Sequence, residues 1–186
     1  VLAWARGRED LTAVDVGTGT GCIALSLLKE GPFTRVWGVD LSPDALELAR
    51  VNGGGVPEGT GLALVAGDGL AALPRDVRVD VVVSNPPYVR DDESDVLQPE
   101  IREHEPPLAL FGGADGLSVI RRLVAEAPGR LRSGGLLALE VGVEQGAAVL
   151  DLVAATGDFT DATLHRDLSG KPRIVTAVRR EPGAAH

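Results

Sequence analysis

The chain has 186 residues, a formal net charge of −9 and a hydrophobic content of 44%. This length suits one domain with a complete core, so we expect residues 1–180 to fold together and 181–186 to form a frayed tail. The acidic charge argues against a broad nucleic-acid surface, because such surfaces need lysine and arginine to neutralise phosphates. No apolar stretch approaches the ~20 residues that span a bilayer. The single cysteine excludes an internal disulfide, and we expect a monomer in the reducing cytoplasm.

Apolar runs and turn residues alternate along the first half of the chain. The runs that are continuous and rich in β-branched residues predict buried parallel strands, at 11–16, 35–40, 62–66 and 79–84. One helix begins at Cys22 and ends before Gly31-Pro32, a stop signal. A second helix begins after Ser42, with Pro43 at its first position, and runs to about Asn52.

The second half of the chain continues this alternation after a polar, proline-containing stretch at 89–114. It predicts helices at 116–132 and 144–156, and strands at 136–141, 162–165 and 174–178. Strands that alternate with helices indicate an α/β fold with a doubly wound sheet. We therefore expect seven strands, mostly parallel, with helices on both faces.

A glycine-rich turn connects the first strand to its helix, and its residues are Asp15, Gly17, Thr18, Gly19, Thr20 and Gly21. Glycines let the backbone approach a ligand closely, and the helix N-terminus behind them favours an anionic group. A dinucleotide fingerprint would have glycine or alanine where this chain has Cys22. That departure favours a nucleoside without a pyrophosphate, and S-adenosylmethionine fits. By itself, however, such a loop is also an ordinary strand–turn–helix connection.

Two further carboxylates follow successive strands. Asp40 ends the second strand, about 20 residues after the glycines, where a carboxylate that binds ribose hydroxyls is expected. Asp68 follows the third strand and is placed to accept a hydrogen bond from the adenine amino group. Together with the glycine loop, these positions favour a cofactor site over simple turns.

The fourth strand ends at Asn85-Pro86-Pro87-Tyr88. Two prolines offer no backbone N–H groups for a sheet ladder, so the strand must end here. Asn85 is then held at the carboxyl end of the sheet, where α/β proteins bind ligands. Its carboxamide oxygen and the neighbouring Pro86 carbonyl could both accept from an –NH₂ group. A plain proline-rich turn would explain the tetrapeptide equally well when it is considered alone.

Seven segments, in chain order, resemble the HemK/PrmC family, which methylates the glutamine of the Gly-Gly-Gln tripeptide in peptide chain release factors. The segments are DVGTGTGCIALSL, GVDLSPDALELARVN, GD at 67–68, VVSNPPYV, EHEPPLALFGGADGL, LEVGVEQ and DLSGKPRIV. The resemblance runs from about Leu11 to Val178. The NPPY motif alone is shared with methyltransferases that act on other amino groups, whereas EPPLALFGG and DLSGKPR narrow the likeness to this family.

The resemblance implies a Rossmann-like class I methyltransferase fold that uses S-adenosylmethionine and yields S-adenosylhomocysteine. Asp15, 17–21, Asp40, Asp68 and Asn85 would contact the cofactor, and 85–88 would hold the substrate glutamine. Gly69, also expected at the adenine pocket, stands where members commonly have a bulky residue. The family's helical N-terminal domain has no counterpart in this sequence. We therefore expect this chain to bind a release factor more weakly than members with that domain.

Two alternatives to this function stay open from the sequence. One is an amino methyltransferase for a ribosomal protein or a nucleic-acid base, and the other is a non-catalytic homologue that only binds S-adenosylmethionine. The acidic charge argues against a nucleic-acid substrate, and the intact NPPY motif argues against pure binding.

Several other polar residues have ordinary structural explanations. The spacing of His104, His165 and His186 predicts no metal site, and acidic residues between 91 and 95 predict a solvated loop rather than a cation site. We expect Cys22 to be a small buried residue, and Glu140 and Gln145 to be structural.

Overall fold

The computed structural model describes residues 1–54, 61–96 and 107–181. Within this part of the chain, seven strands form one sheet in the order β3-β2-β1-β4-β5-β7-β6. The strands are β1 (Leu11–Val16), β2 (Phe33–Asp40), β3 (Leu62–Ala66), β4 (Val79–Ser84), β5 (Leu131–Glu140), β6 (Phe159–Arg166) and β7 (Pro172–Arg179). Pairs among β1 to β5 are parallel, and β7 runs antiparallel to both β5 and β6. The predicted α/β sheet is confirmed.

The described helices are short; α1 precedes the first strand, and the others lie between strands. They are α1 (Leu2–Ala5), α2 (Cys22–Glu30), α3 (Pro43–Asn52), α4 (Pro107–Leu110), α5 (Ser118–Glu126) and α6 (Gly146–Thr156). Ser42 caps α3 as predicted, because its hydroxyl accepts from the Ala45 N–H at 3.2 Å. Among the described residues, no helix combines the length and the apolar character needed to cross a membrane.

The helix predicted at 116–132 is shorter than the sequence suggested. It ends at Glu126, and a 3-10 turn over Ala127–Gly129 leads directly into β5 at Leu131. Pro128 explains the break, because it lacks the N–H that a continuing helix would use. The five residues from 131 to 135 extend the strand instead, and they bring Leu131 beside Val79 of β4.

Alternate residues of the central strands fill two apolar layers, one on each face of the sheet. Val14 of β1 and Leu139 of β5 belong to the layer that packs under α5 and α6. Ala13 of β1 and Ala138 of β5 face the opposite layer, which packs under α1 and α2. Burial on both faces explains why these strands read as continuous apolar runs.

The order of the strands reverses between β1 and β4. The chain first moves outward from β1 to β2 and β3, and then returns to place β4 on the other side of β1. In open α/β sheets, ligands bind beyond the carboxyl ends of the strands at such a reversal. The residues that follow β1 and β4 therefore lie where an α/β sheet is expected to bind its ligand.

Replacing Leu139 by alanine tests the layer beneath α5 and α6. Leu139 is fully buried, so the lost contacts and the cavity should lower the free energy of unfolding by about 2–5 kcal/mol. The same change at Leu168, which is fully exposed, should have little effect. Urea unfolding of both variants measures the difference, and equal losses would contradict this account of the core.

Candidate active site

The glycine loop after β1 adopts a backbone that requires glycine at three alternate positions. Gly17, Gly19 and Gly21 have φ values of 70°, 54° and 82°, in the left-handed region. The N–H groups of Gly17 and Thr18 donate to the Val39 carbonyl at 2.8 and 3.0 Å. The N–H of Gly19 donates to Asp40 Oδ2 at 2.8 Å. Three successive N–H groups of the loop are therefore bound within the protein.

Asp15 is fully buried beneath this loop. Its Oδ2 accepts from the Thr18 hydroxyl at 2.7 Å and from the Ala24 N–H at 3.1 Å. Its Oδ1 is buried and has no partner among the described residues. Burial raises the pKa of Asp15 to about 6, against the two hydrogen bonds, and the charge of Asp40 adds to the rise. Thr18 thus turns its side chain inward, towards this carboxylate.

Asp40 and Asp68 lie at the carboxyl ends of β2 and β3, as predicted from the sequence. Asp40 links the loop to α3, because its Oδ1 accepts from the Ser42 N–H at 2.9 Å while Oδ2 binds Gly19. Asp68 is exposed and forms a bidentate ion pair with Arg122 of α5. No local sequence pattern points to this partner, because 54 positions separate the two residues.

The Asn85–Tyr88 segment leaves β4 directly beside the glycine loop. A Cβ atom built on Gly17 would lie 4.0 Å from the Asn85 carbonyl oxygen, so the two backbones are in contact. Pro86 is buried, whereas Asn85 is exposed and its carboxamide has no hydrogen-bond partner within the described part of the chain. A free amide acceptor therefore stands at the reversal point of the sheet.

Tyr88 is held in place from both ends. Its hydroxyl donates to Glu140 Oε1 at 3.3 Å, and the Arg173 guanidinium lies 5.5 Å from its ring centre. Gln145 Nε2 donates to the Tyr88 carbonyl at 2.9 Å, and Gln145 Oε1 accepts from the Gly142 N–H at 2.8 Å. Burial, followed by the charge of Glu140, raises the pKa of Tyr88. The structural residues Glu140 and Gln145 thus act on the predicted site itself.

The segment after α4 forms a wall behind the Asn85–Tyr88 segment. Val89 and Phe111 form a parallel bridge, and the Gly112 N–H donates to the Val89 carbonyl at 2.8 Å. A Cβ on Gly112 would lie 2.6 Å from the Pro87 carbonyl oxygen. This contact explains why a glycine is needed here. Residues 103–106 of the EHEPPLALFGGADGL segment lie outside the described residues.

Other predictions for single residues had mixed outcomes. The prediction that Cys22 is buried was wrong: it is exposed, because its place in the first turn of α2 points its side chain outward.

Asp92 of the acidic segment pairs with Arg90 at 2.8 Å, and His165 lies 2.8 Å from the Thr176 hydroxyl. His104 and His186 lie outside the described residues. Within the described ranges, no three metal-ligating side chains cluster together.

The model of the methyltransferase small domain family matches residues 5–108, more than half of the chain. The chain belongs to this family. The matched residues contain the glycine loop, Asp40, Asp68 and the Asn85–Tyr88 segment. The membership agrees with the arrangement of the two motifs on either side of the sheet's reversal point.

Similar proteins include two curated relatives of the same name and a solved structure with the same fold. Release factor glutamine methyltransferase from Cereibacter sphaeroides is 46% identical over 89% of this chain and 59% of its own length. The protein of that name from Mycolicibacterium smegmatis is 44% identical over 96% and 64%. The chain therefore spans about three fifths of these relatives. A Streptococcus mutans methyltransferase, solved with S-adenosylhomocysteine, shares the fold at 17% identity and a TM-score of 0.64, over 92% of this chain and 89% of its own.

The raised pKa of Asp15 predicts how the free energy of unfolding depends on pH. The folded protein holds the Asp15 proton up to a pH of about 6, whereas the ordinary pKa of an aspartate is 3.8. Ionising this buried carboxyl therefore costs stability as the pH rises through that window. Relative to wild type, Asp15→Asn should gain about 2 kcal/mol in unfolding free energy between pH 4 and 7.

Urea unfolding across this pH range measures the gain, because other carboxylates cancel in the difference between the two proteins. Asp44→Asn, which removes an exposed carboxylate of α3, is the matched control and should show no such pH dependence. A constant difference between wild type and Asp15→Asn would contradict the raised pKa.

Proposed function

We propose that this chain transfers a methyl group from S-adenosylmethionine to the side-chain nitrogen of the glutamine in the Gly-Gly-Gln tripeptide of release factors. One observation carries the proposal. Asn85 is exposed, its backbone is in contact with Gly17 of the glycine loop, and its carboxamide has no hydrogen-bond partner among the described residues. An acceptor for a planar –NH₂ group thus adjoins a cofactor loop. The names of the relatives support the choice of a release factor glutamine.

The donors and acceptors of the loop fit S-adenosylmethionine better than a dinucleotide. The N–H groups of Gly17, Thr18 and Gly19 already bind protein oxygens, so they are not free to bind a pyrophosphate. Asp40 supplies a carboxylate beside the loop, which suits ribose hydroxyls, and the buried Asp15 carboxyl supports the loop from beneath. The S-adenosylhomocysteine complex of the Streptococcus mutans protein supports the same choice.

Bound S-adenosylmethionine supplies an electrophilic methyl group on a sulfonium. The amide nitrogen that receives it is a weak nucleophile, because its lone pair is delocalised into the carbonyl. Asn85 Oδ1 and the Pro86 carbonyl accept the two N–H protons and thereby hold the nitrogen in line with the methyl group. Orientation of this kind contributes at most ~7–11 kcal/mol, and each well-placed polar group ~3–4 kcal/mol.

No general base is needed before the attack. The carbon–sulfur bond breaks as the nitrogen–carbon bond forms, so the sulfonium becomes a neutral thioether and the nitrogen becomes positively charged. The two carbonyl oxygens stabilise this charge, and the extra proton then passes to water. Tyr88, fixed by Glu140 and Gln145, covers the planar amide and keeps it in position.

The charge of the chain supports a protein substrate over a nucleic acid. A net charge of −9 repels phosphates and tolerates a basic protein partner. Release factors act in the cytoplasm, so the enzyme would act there too. It would act as a monomer.

Asn85→Ala tests the proposal directly. Without the carboxamide, kcat for methyl transfer should fall ~100-fold or more, while the Kd for S-adenosylhomocysteine changes little. Asn85→Asp keeps an acceptor oxygen and should retain part of the activity. Labelled S-adenosylmethionine, purified release factor and mass spectrometry of the Gly-Gly-Gln peptide measure both effects. Label on a ribosomal protein or nucleic acid, with none on the release factor, would contradict the assignment of the release factor as substrate.

Gly112→Ala tests the wall behind the motif. Its new methyl group would collide with the Pro87 carbonyl, so the Asn85–Tyr88 segment must shift. A shift of that kind should lower kcat ~10-fold or more, with cofactor affinity retained. Gly129→Ala is the matched control, because a Cβ there meets nothing within 4 Å. If both variants keep full activity, the wall does not position the motif.

A further inference from the structure

Arg122 reaches from α5 to the carboxylate that follows β3. Its Nη1 and Nη2 atoms donate to Asp68 Oδ2 and Oδ1, both at 2.5 Å. This fork fixes the plane of the carboxylate, because two parallel hydrogen bonds leave it no free rotation. Asp68 is otherwise an exposed side chain at the edge of the sheet.

The guanidinium of Arg122 also covers Gly69. A Cβ built on Gly69 would lie 3.3 Å from Nη2 and 3.6 Å from both Cζ and Nε. Three guanidinium atoms at nearly equal distances mean that a flat face of the group lies over this residue. Gly69 also has a φ of 58°, which disfavours any side chain. The planar cation of Arg122 thus occupies space where a side chain at position 69 would begin.

A second carboxylate, that of Glu126, lies on the same helix as Arg122. Glu126 follows one helical turn later, and its Oε2 and Arg122 Nε are both buried with no hydrogen-bond partner in the described ranges. The hydrogen bonds to Asp68, and then the charges of Asp68 and Glu126, raise the pKa of Arg122 against partial burial. The guanidinium therefore stays charged, with the Asp68 carboxylate as its hydrogen-bonded partner.

We propose that Arg122 is a positioning residue for adenine recognition: it aligns Asp68 to accept from the exocyclic amino group and presents a planar surface beside the base. The proposal rests on the cofactor of the proposed function. Each carboxylate oxygen has more than one lone pair, so the fork leaves acceptor capacity on Asp68. A lysine could not replace the fork, because its ammonium is a point charge without a planar face.

The test compares two ligands that differ at the adenine amino group. S-inosylhomocysteine has a carbonyl oxygen where S-adenosylhomocysteine has –NH₂, and that oxygen would face the Asp68 acceptors. Wild type should prefer S-adenosylhomocysteine by ~10-fold or more, because a mismatched acceptor leaves polar groups unpaired. Arg122→Gln should weaken S-adenosylhomocysteine ~10-fold and bring the preference towards unity. Isothermal titration calorimetry measures both ligands.

Two further variants separate recognition from charge and folding. Arg122→Lys keeps the charge and the aliphatic stem, and it should also lose most of the preference for adenine. Arg121→Gln is the matched control, because Arg121 is the next residue of α5 and pairs with Asp115 instead. It should bind both ligands as wild type does. Thermal unfolding confirms that each variant is folded at the temperature of the titration.

Three results would overturn the inference. They are unchanged binding of S-adenosylhomocysteine by Arg122→Gln, tighter binding by that variant, and an equal loss for both ligands, which indicates a merely structural role. Failure of the proposed function gives a different pattern. An adenine preference that depends on Arg122, without methyl transfer to a release factor, would keep this inference and remove the proposed substrate.

Discussion

The parallel pairing of β1 with β4 is the constraint on which the rest of the site depends. Val16 lies beside Ser84 in this register, and the buried Ser84 hydroxyl donates to the Val16 carbonyl at 2.6 Å. The next residues along each strand are Gly17 and Asn85, so the glycine loop and the carboxamide leave the sheet side by side. A slip of one residue would exchange the two faces of a strand and destroy both apolar layers. Core packing therefore fixes the geometry of the site.

The two sides of the reversal point differ in charge. On the β1–β3 side, Asp40 and Asp68 present carboxylates at the ends of β2 and β3, and Asp15 is buried beneath the glycine loop. Next to β4 lie two neutral acceptors, the carboxamide of the exposed Asn85 and the carbonyl of the buried Pro86. This division suits a cationic, hydroxylated cofactor on one side and a neutral amide on the other. A charged acceptor is not required to hold an –NH₂ group.

Local sequence predicted the backbone best where glycine or proline restricts its conformation. Glycines at 17, 19 and 21 predicted the loop, and the two prolines predicted the end of β4, because each residue type restricts its own backbone. Side-chain exposure was harder to predict. Cys22 has a small, apolar side chain that suits a core, but its position in the first turn of α2 turns it to solvent.

The sequence by itself determined the alternating α/β order, the glycine loop, and the acidic and amide residues at the ends of strands, because these features follow from periodicity and from local backbone restrictions. Only the tertiary structure decided which residues support them. The partners Arg122–Asp68 and Gln145–Tyr88 lie 54 and 57 positions apart. No local pattern encodes such pairs, since their contact depends on how α5 and the residues after β5 pack against the folded sheet.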